Sequence, residues 1–104
     1  MSPDADGWVT VARLEDLDAR GRALVKIDGS EIALFRVDDR VYAIQGRCPH
    51  RQGPLVRGFV EPGPSIRCPM HGWCFQLATG ASDRPAQATV YPVRVEGDAI
   101  AVRL

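Results

Sequence analysis

Residues 48–50 read Cys48-Pro49-His50, and residues 68–71 read Cys68-Pro69-Met70-His71. Each stretch offers one thiol and one imidazole, and seventeen residues separate the two stretches. Gly53 follows the first stretch and Gly72 follows the second. Glycine lets a backbone approach an inorganic group closely and direct N–H groups toward it. The pairing therefore predicts one metal centre held between two loops.

The segment around these loops, residues 45–80, differs in composition from the rest of the chain. It contains five of the eight prolines, six of the ten glycines, and all of the cysteines and histidines. A hydrophobic core of its own cannot explain such a loop-rich segment, whereas metal binding is coupled to folding and can stabilise it. We therefore predict a metal-binding subdomain over residues 45–80, carried on a rigid base of flanking strands.

The flanking sequence consists of short runs rich in β-branched and aromatic residues, separated by Gly, Pro and Asp. The predicted strands are Trp8–Val11, Ala23–Ile27, Ile32–Val37, Val41–Ile44, Thr89–Val95 and Ala99–Leu104. Asp28-Gly29, Asp38-Asp39 and Gly97-Asp98 fit hairpin turns, and Leu14–Ala19 fits one helical turn. The sequence therefore predicts an all-β fold, as a small sandwich or an open barrel.

Length and charge narrow the classes of protein to consider. The chain has 104 residues, which predicts a single domain over residues 1–104. Its 13 basic and 13 acidic side chains cancel, whereas a nucleic-acid-binding protein usually carries a basic surplus. No apolar run approaches the roughly 20 residues of a membrane helix. Residues 1–7 are acidic and polar, unlike a signal peptide, so we expect a flexible tail and a cytoplasmic protein.

The cysteine content points to metal binding. The chain has three cysteines, an odd number that does not fit a secreted disulfide framework. The two candidates are a zinc site, which would make the chain a zinc-stabilised interaction module, and a [2Fe–2S] cluster. Zinc sites of this composition usually place a cysteine pair before a histidine pair, whereas each loop here combines one of each. This order favours a cluster with both cysteines on one iron and both histidines on the other.

The spacing resembles the signature of the Rieske proteins, which is C-x-H, a gap of about 16–17 residues, and C-x-x-H. Val41–Ile44 precedes the first loop and Tyr91–Val95 follows the other, and both stretches resemble flanking strands of that family. The resemblance implies a Rieske fold of stacked antiparallel sheets with a loop-rich cluster-binding subdomain at one tip. It also implies one [2Fe–2S] cluster per chain, with the imidazoles at the exposed end where electrons leave. The implied ligands are Cys48, His50, Cys68 and His71.

Four positions indicate a branch of this family. High-potential members carry two disulfide-forming cysteines where this chain has Gly53 and Met70. They also carry two hydroxyl donors to the cluster sulfurs where this chain has Trp73 and Phe75. Hydrogen bonds around a metal centre tune its potential. The resemblance therefore implies the low-potential branch, with no membrane anchor and no disulfide.

No residue set in the sequence indicates substrate chemistry, because both histidines are assigned to iron. We therefore expect a one-electron carrier that is not catalytic alone. Gly29–Arg36 and the ligand loops are more similar to the small subunit of an NAD(P)H nitrite reductase, and the alternative is the ferredoxin component of an aromatic-ring-hydroxylating dioxygenase. The implied partners are a flavin- and NAD(P)H-dependent reductase and an acceptor oxidoreductase, with neither nucleic acid nor membrane among them.

Other residues near the loops allow two interpretations. Cys74 is either a redox-active thiol or a small buried hydrophobe, and the buried hydrophobe is expected. Trp73 and Phe75 are expected to shield the cluster and to anchor the subdomain, and Met70 to pack in the loop. The arginines around the loops form either a basic rim for an acidic partner or scattered solvated charge. These are Arg47, Arg51, Arg57 and Arg67.

Overall fold

The computed structural model describes residues 7–49, 52–70 and 72–104, and ten strands form within these ranges. They are β1 (Trp8–Arg13), β2 (Arg22–Ile27), β3 (Ser30–Val37), β4 (Arg40–Gln45), β5 (Phe59–Glu61), β6 (Ser65–Arg67), β7 (Cys74–Gln76), β8 (Val90–Tyr91), β9 (Val93–Glu96) and β10 (Ala99–Arg103). The helical elements of these ranges are short 3-10 helices at Leu14–Asp16 and Leu55–Arg57. The predicted all-β class is confirmed.

The base of the molecule consists of antiparallel sheets. One has the order β1-β10-β9 and another has the order β2-β3-β4-β8. Two-residue turns join β2 to β3, β3 to β4 and β9 to β10, at the positions that the sequence predicted. Asp28 and Asp38 adopt φ values of 50° and 52° in these turns. Aspartate tolerates this left-handed conformation better than most residues, which explains its use there.

Strand β3 is buried on both faces and forms the wall between two hydrophobic clusters. Ile32 and Leu34 share one cluster with Ile100 of β10. Ala33 and Phe35 point the other way, into a cluster that includes the two predicted ligands Cys48 and Cys68. Successive side chains of a strand alternate between its faces, so one strand can serve two cores. β3 therefore couples the base directly to the predicted metal centre.

A further antiparallel sheet, of order β5-β6-β7, lies inside residues 45–80. Its Ile66 and Phe75 are fully buried with Leu55 and Leu77, and all four pack in one cluster with Phe35. The segment therefore does not form a hydrophobic core of its own but shares one with β3. Strands of three residues between prolines and glycines are too short to show a period in the sequence.

Two predicted elements differ from the structure. The predicted strand Thr89–Val95 divides into β8 and β9, which pair with β4 and β10 respectively. Pro92 separates them, since it has no N–H group to donate to a ladder. The helical turn predicted over Leu14–Ala19 is shortened to a 3-10 helix, Leu14–Asp16, where the Arg13 N–H donates to Asp16 Oδ2 at 2.8 Å. Of the predicted tail, residues 1–6 lie outside the described ranges.

Candidate metal centre

The two ligand loops are closed by the same pair of hydrogen bonds. In the first, the Cys48 N–H donates to the Gly53 carbonyl at 2.7 Å, and the Gln52 N–H donates to the Cys48 carbonyl at 2.8 Å. In the second, the Cys68 N–H donates to the Trp73 carbonyl at 2.7 Å, and the Gly72 N–H donates to the Cys68 carbonyl at 3.1 Å. In each loop the backbone of the cysteine thus forms hydrogen bonds with the backbone of the residues four and five positions later.

The backbone conformations of the two loops also correspond. The residue four positions after each cysteine has a left-handed φ, 62° at Gln52 and 74° at Gly72. Gly72 adopts this conformation at no steric cost, whereas Gln52 does so under strain. The predicted histidine ligands, His50 and His71, lie outside the described residues. The structure therefore describes the backbone of each loop beside its cysteine.

Cys48 and Cys68 are brought into one buried cluster. Only 1% and 2% of their surfaces are exposed. Burial among apolar groups makes a free thiolate costly, so a metal that takes its charge suits such a site. Buried thiols on two matching loops fit the cysteine half of a [2Fe–2S] ligand set. Within residues 7–49, 52–70 and 72–104, no three His, Cys, Asp or Glu side chains form a separate metal site.

Gly53 is required where the two loops meet. A Cβ atom at this position would lie 2.5 Å from Met70 Cγ and 2.9 Å from Cys68 Sγ. It would also lie 3.3 Å from Met70 Cβ, so positions 53 and 70 are neighbours across the loops. This is the adjacency that a disulfide between them would need. The Met70 side chain is 56% exposed, so it covers Gly53 from outside rather than packing in the interior.

The first loop is fastened to the base through backbone and charge. The Leu55 N–H donates to the Gly46 carbonyl at 3.0 Å, which closes the loop beyond its turn. Arg47 Nε donates to Glu31 Oε1 on β3 at 2.8 Å, and Arg47 Nη1 donates to the Gln52 carbonyl at 3.4 Å. The residue directly before Cys48 is therefore held by the neighbouring strand.

The second loop is held by an ion pair. Arg67 donates through Nε and Nη2 to the two carboxylate oxygens of Glu61, at 2.8 and 2.7 Å, and through Nη1 to the Gly72 carbonyl at 3.1 Å. Arg67 thus connects β5 to the backbone beside the second histidine. The hydrogen bond from Arg67 lowers the pKa of the Glu61 carboxyl, and the same contact raises the pKa of the guanidinium.

Arg22 is a site-supporting residue that the sequence analysis missed. It is buried in β2, and its Nη1 donates to the carbonyls of Val56 at 3.0 Å and Gly58 at 2.7 Å. Its guanidinium carbon lies 5.4 Å from the centre of the Phe35 ring. Arg22 therefore fixes the turn after the first ligand loop to the base. An arginine inside an alternating strand gives no sequence signal that it points inward.

The structure distinguishes between the interpretations of the arginines near the loops and of Cys74. Arg47 and Arg67 are paired with acidic residues, so they do not supply free charge to a basic rim. Arg57 is exposed, and Arg51 lies outside the described residues. Cys74 is only partly buried, with its Sγ 3.3 Å from Ser65 Oγ, so it is not the buried hydrophobe expected.

The aromatic pair after the second loop has divided roles. Phe75 is fully buried in the cluster that holds the ligand cysteines, whereas Trp73 is partly buried and packs against that cluster. Arg84 lies over the Trp73 ring, with its guanidinium carbon 5.6 Å from the ring centre. Phe75 therefore anchors residues 45–80 in the shared core, and Trp73 covers the outer side of that core.

The family model described as the Rieske [2Fe-2S] domain matches residues 7–98. The chain belongs to the Rieske family. It is 43% identical over 88 residues to the 3-phenylpropionate/cinnamic acid dioxygenase ferredoxin subunit of Escherichia coli (strain K12), covering 81% of this chain and 82% of that protein. Rieske domains bind a [2Fe–2S] cluster, and the predicted cofactor and fold are thereby confirmed.

Solved structures give the same fold. A protein assigned as an NADH-dependent nitrite reductase small subunit from Mycobacterium tuberculosis has a TM-score of 0.81 and 31% identity, over 93% of this chain and 94% of that one. A chain of the complex of reduced oxygenase and oxidized ferredoxin in carbazole 1,9a-dioxygenase has a TM-score of 0.80 and 26% identity, over 94% of this chain and 94% of that one. This Rieske chain is thus a ferredoxin-type electron carrier. No helix among its described residues is long and apolar enough to cross a membrane.

Proposed function

We propose that the four residues of the two loops hold the cluster of this Rieske protein, with the thiolates of Cys48 and Cys68 on one iron and the imidazoles of His50 and His71 on the other. The observation that carries the assignment is the matching closure of the two loops around buried cysteines. The bound cluster supplies reversible transfer of one electron. Residues 45–80 then act as the cluster-binding subdomain of a single domain.

The chain's own contribution is to bury the thiolate side and to present the opposite side to a partner. Phe75 and Leu55 pack around the cysteines and keep water from them. Phe59 of β5, which pairs with Arg67 of β6, is 61% exposed, and Met70 in the second loop is 56% exposed. Exposed apolar side chains close to a site are typical of interaction surfaces. Phe59 and Met70 are therefore candidates for partner contact.

For partners, we propose a flavin- and NAD(P)H-dependent reductase as donor and an oxidoreductase as acceptor. A nitrite reductase and a ring-hydroxylating oxygenase have equal support as acceptors, since solved structures from both kinds of system share this fold. An odd number of cysteines does not fit a secreted disulfide framework, and it supports the cytoplasm as the compartment we propose.

The first test is the composition of the purified protein. We expect a brown protein with equimolar iron and acid-labile sulfide that takes up one electron reversibly. A colourless protein containing zinc would instead establish the interaction module. The acceptor is then tested by supplying the reduced protein to the E. coli 3-phenylpropionate/cinnamic acid oxygenase and to a nitrite reductase large subunit. Product formed by only one of the two identifies the system.

A further inference from the structure

A pocket of about 520 Å³ lies between β2 and the turn that follows the first ligand loop. This volume is in the range of small-molecule sites, roughly 300–1,000 Å³. One part of its lining is apolar and comes from Leu24, Pro54 and Val56. The other part carries the guanidinium groups of Arg22, Arg47 and Arg57. The pocket therefore combines an apolar surface with several cations.

The positive charge of this pocket is only partly neutralised. Arg47 is paired with Glu31 at 2.8 Å. Arg57 is exposed and forms no ion pair or side-chain hydrogen bond with any residue that the structure describes. Asp18 is the carboxylate in the lining, and its Oδ1 accepts the backbone N–H groups of Arg20 and Arg22 rather than a guanidinium. An anion in this pocket would therefore meet a net positive field.

Arg22 gives the pocket a buried cation that has no carboxylate in ion-pair contact among the described residues, and the carboxylate of Asp18 offsets its burial only in part. The residue is 8% exposed, and its Nη1 is used by the two backbone carbonyls of the neighbouring turn. Its Nε is buried and has no hydrogen-bond partner within the described residues. Burial lowers the pKa of this guanidinium. A buried, unpaired charge is costly, and a nearby anion reduces that cost.

We propose that the pocket binds a small organic carboxylate. Its carboxylate group would neutralise the charge of Arg22 and Arg57, and its apolar group would lie on Leu24, Pro54 and Val56. An inorganic oxyanion would use the cations but leave the apolar surface exposed. An uncharged apolar compound would cover the apolar surface but leave the cations without an anion. Only a molecule with both parts matches the whole lining.

Occupancy of the pocket would affect electron transfer, and this consequence rests on the proposed function. Arg47 lines the pocket and directly precedes Cys48, so the bound carboxylate adds negative charge beside the first ligand loop. Negative charge favours the oxidised protein, which carries one more positive charge. Binding and reduction are thermodynamically linked, so the ligand lowers the midpoint potential. Tenfold tighter binding to the oxidised protein corresponds to about 59 mV.

The test is isothermal titration calorimetry of the oxidised, cluster-loaded protein with benzoate at constant ionic strength. We expect saturable binding of one benzoate and none of benzyl alcohol, its uncharged analogue. Arg57→Gln should weaken binding about tenfold through loss of one charge-assisted hydrogen bond. Arg103→Gln is the matched control, since Arg103 is also exposed but lies on β10 outside the pocket. It should bind like the unaltered protein.

Three results would overturn the proposal. They are no saturable binding of benzoate, binding that Arg57→Gln leaves unchanged, and inorganic phosphate binding as tightly as benzoate. Voltammetry with and without benzoate tests the linkage separately, and a fixed midpoint despite binding would overturn that consequence alone. A protein without one-electron activity would refute the proposed function while leaving the calorimetric result intact.

Discussion

Single residues determine whether the two ligand loops can approach each other. Gly53 has no side chain at the place where Cys68 Sγ and the Met70 side chain meet it. Cys48 and Cys68 are buried in the shared cluster, whereas Cys74 is partly exposed to solvent and lies beside Ser65. Burial therefore distinguishes the two cysteines proposed as ligands from Cys74, which lies nearby but outside that cluster.

Gly53→Ala should destabilise the holoprotein by about 1–3 kcal/mol, as overpacking does in well-packed cores. The new Cβ would press on Cys68 Sγ, which cannot move if it ligates iron, and on Met70, which can. Chemical denaturation and iron content measure the effect. Met70→Ala should retain the cluster, and the double variant should recover part of the loss. Full stability of Gly53→Ala would contradict the close approach.

Cys74→Ser should leave the visible spectrum of the cluster unchanged, because a hydroxyl can replace the thiol beside Ser65. Cys48→Ser and Cys68→Ser should lose the cluster, since each removes a proposed ligand. Absorption spectra and iron content of the three purified variants give the comparison. Loss of the spectrum in Cys74→Ser would make the third cysteine part of the centre.

At the scale of elements, short strands hold each loop through one charged side chain. Arg67 at the end of β6 bridges Glu61 of β5 and the Gly72 carbonyl, and Arg47 beyond β4 reaches Glu31 of β3. Strands as short as β5 and β6 have few ladder hydrogen bonds of their own. Side-chain contacts and the shared core therefore decide their position.

The Glu61–Arg67 pair should stabilise the folded protein in a pH-dependent way. The pKa of Glu61 is lowered in the folded state from an ordinary value of 4.5. The contribution of the ionised Glu61 carboxylate to the free energy of unfolding is therefore complete above pH 4.5. It is lost as the pH falls through the lower pKa that Glu61 has in the folded protein. Denaturation of the unaltered protein and of Glu61→Gln from pH 7 to pH 4 should show a constant difference that narrows below 4.5. A difference that is equally large at every pH would exclude the ion pair as its source.

Removal of the cluster should loosen residues 45–80 and spare β3. The ligand loops are closed by backbone hydrogen bonds at Cys48 and Cys68, and the proposed metal centre would hold the two loops together, whereas β3 is paired on both sides within the base. Hydrogen exchange of cluster-free and cluster-loaded protein would measure both regions. Equal protection of the loops in the two states would refute the coupling of binding and folding.

At the scale of the whole molecule, the chain is a base of antiparallel sheets that carries one redox centre. β3 lies between the core of the base and the core beneath the ligand loops. The same strand thus supports the fold and the site. A change in the base therefore reaches the loops through this packing and through the polar contacts of Arg22 and Arg47.

The potential of the cluster should lie near the bottom of the Rieske range, about −150 mV. Gly53 and Met70 exclude a disulfide, and neither Trp73 nor Phe75 has a hydroxyl to donate. Fewer donors leave more electron density on the cluster sulfurs, which favours the oxidised state. The same density weakens the pull on the imidazole N–H protons, so the midpoint should not change with pH near 7.

Protein-film voltammetry from about pH 6 to pH 10 measures the midpoint potential and its dependence on pH. Coupling of one proton to one electron gives a slope of about 59 mV per pH unit. A midpoint well above zero would contradict the low-potential assignment. So would a full proton-coupled slope already present at pH 7.

The sequence by itself determined the fold class, the hairpin turns, the family and the cofactor. The ligand spacing is local and chemically specific, and turns such as Asp38-Asp39 depend on neighbouring residues only. The tertiary structure alone decided the sheet β5-β6-β7, the inward position of Arg22 and the need for Gly53. Each of these depends on what a residue meets from a distant part of the chain, as where Gly53 meets Met70. A linear pattern carries no record of such contacts, because burial and close approach arise only when the strands pack.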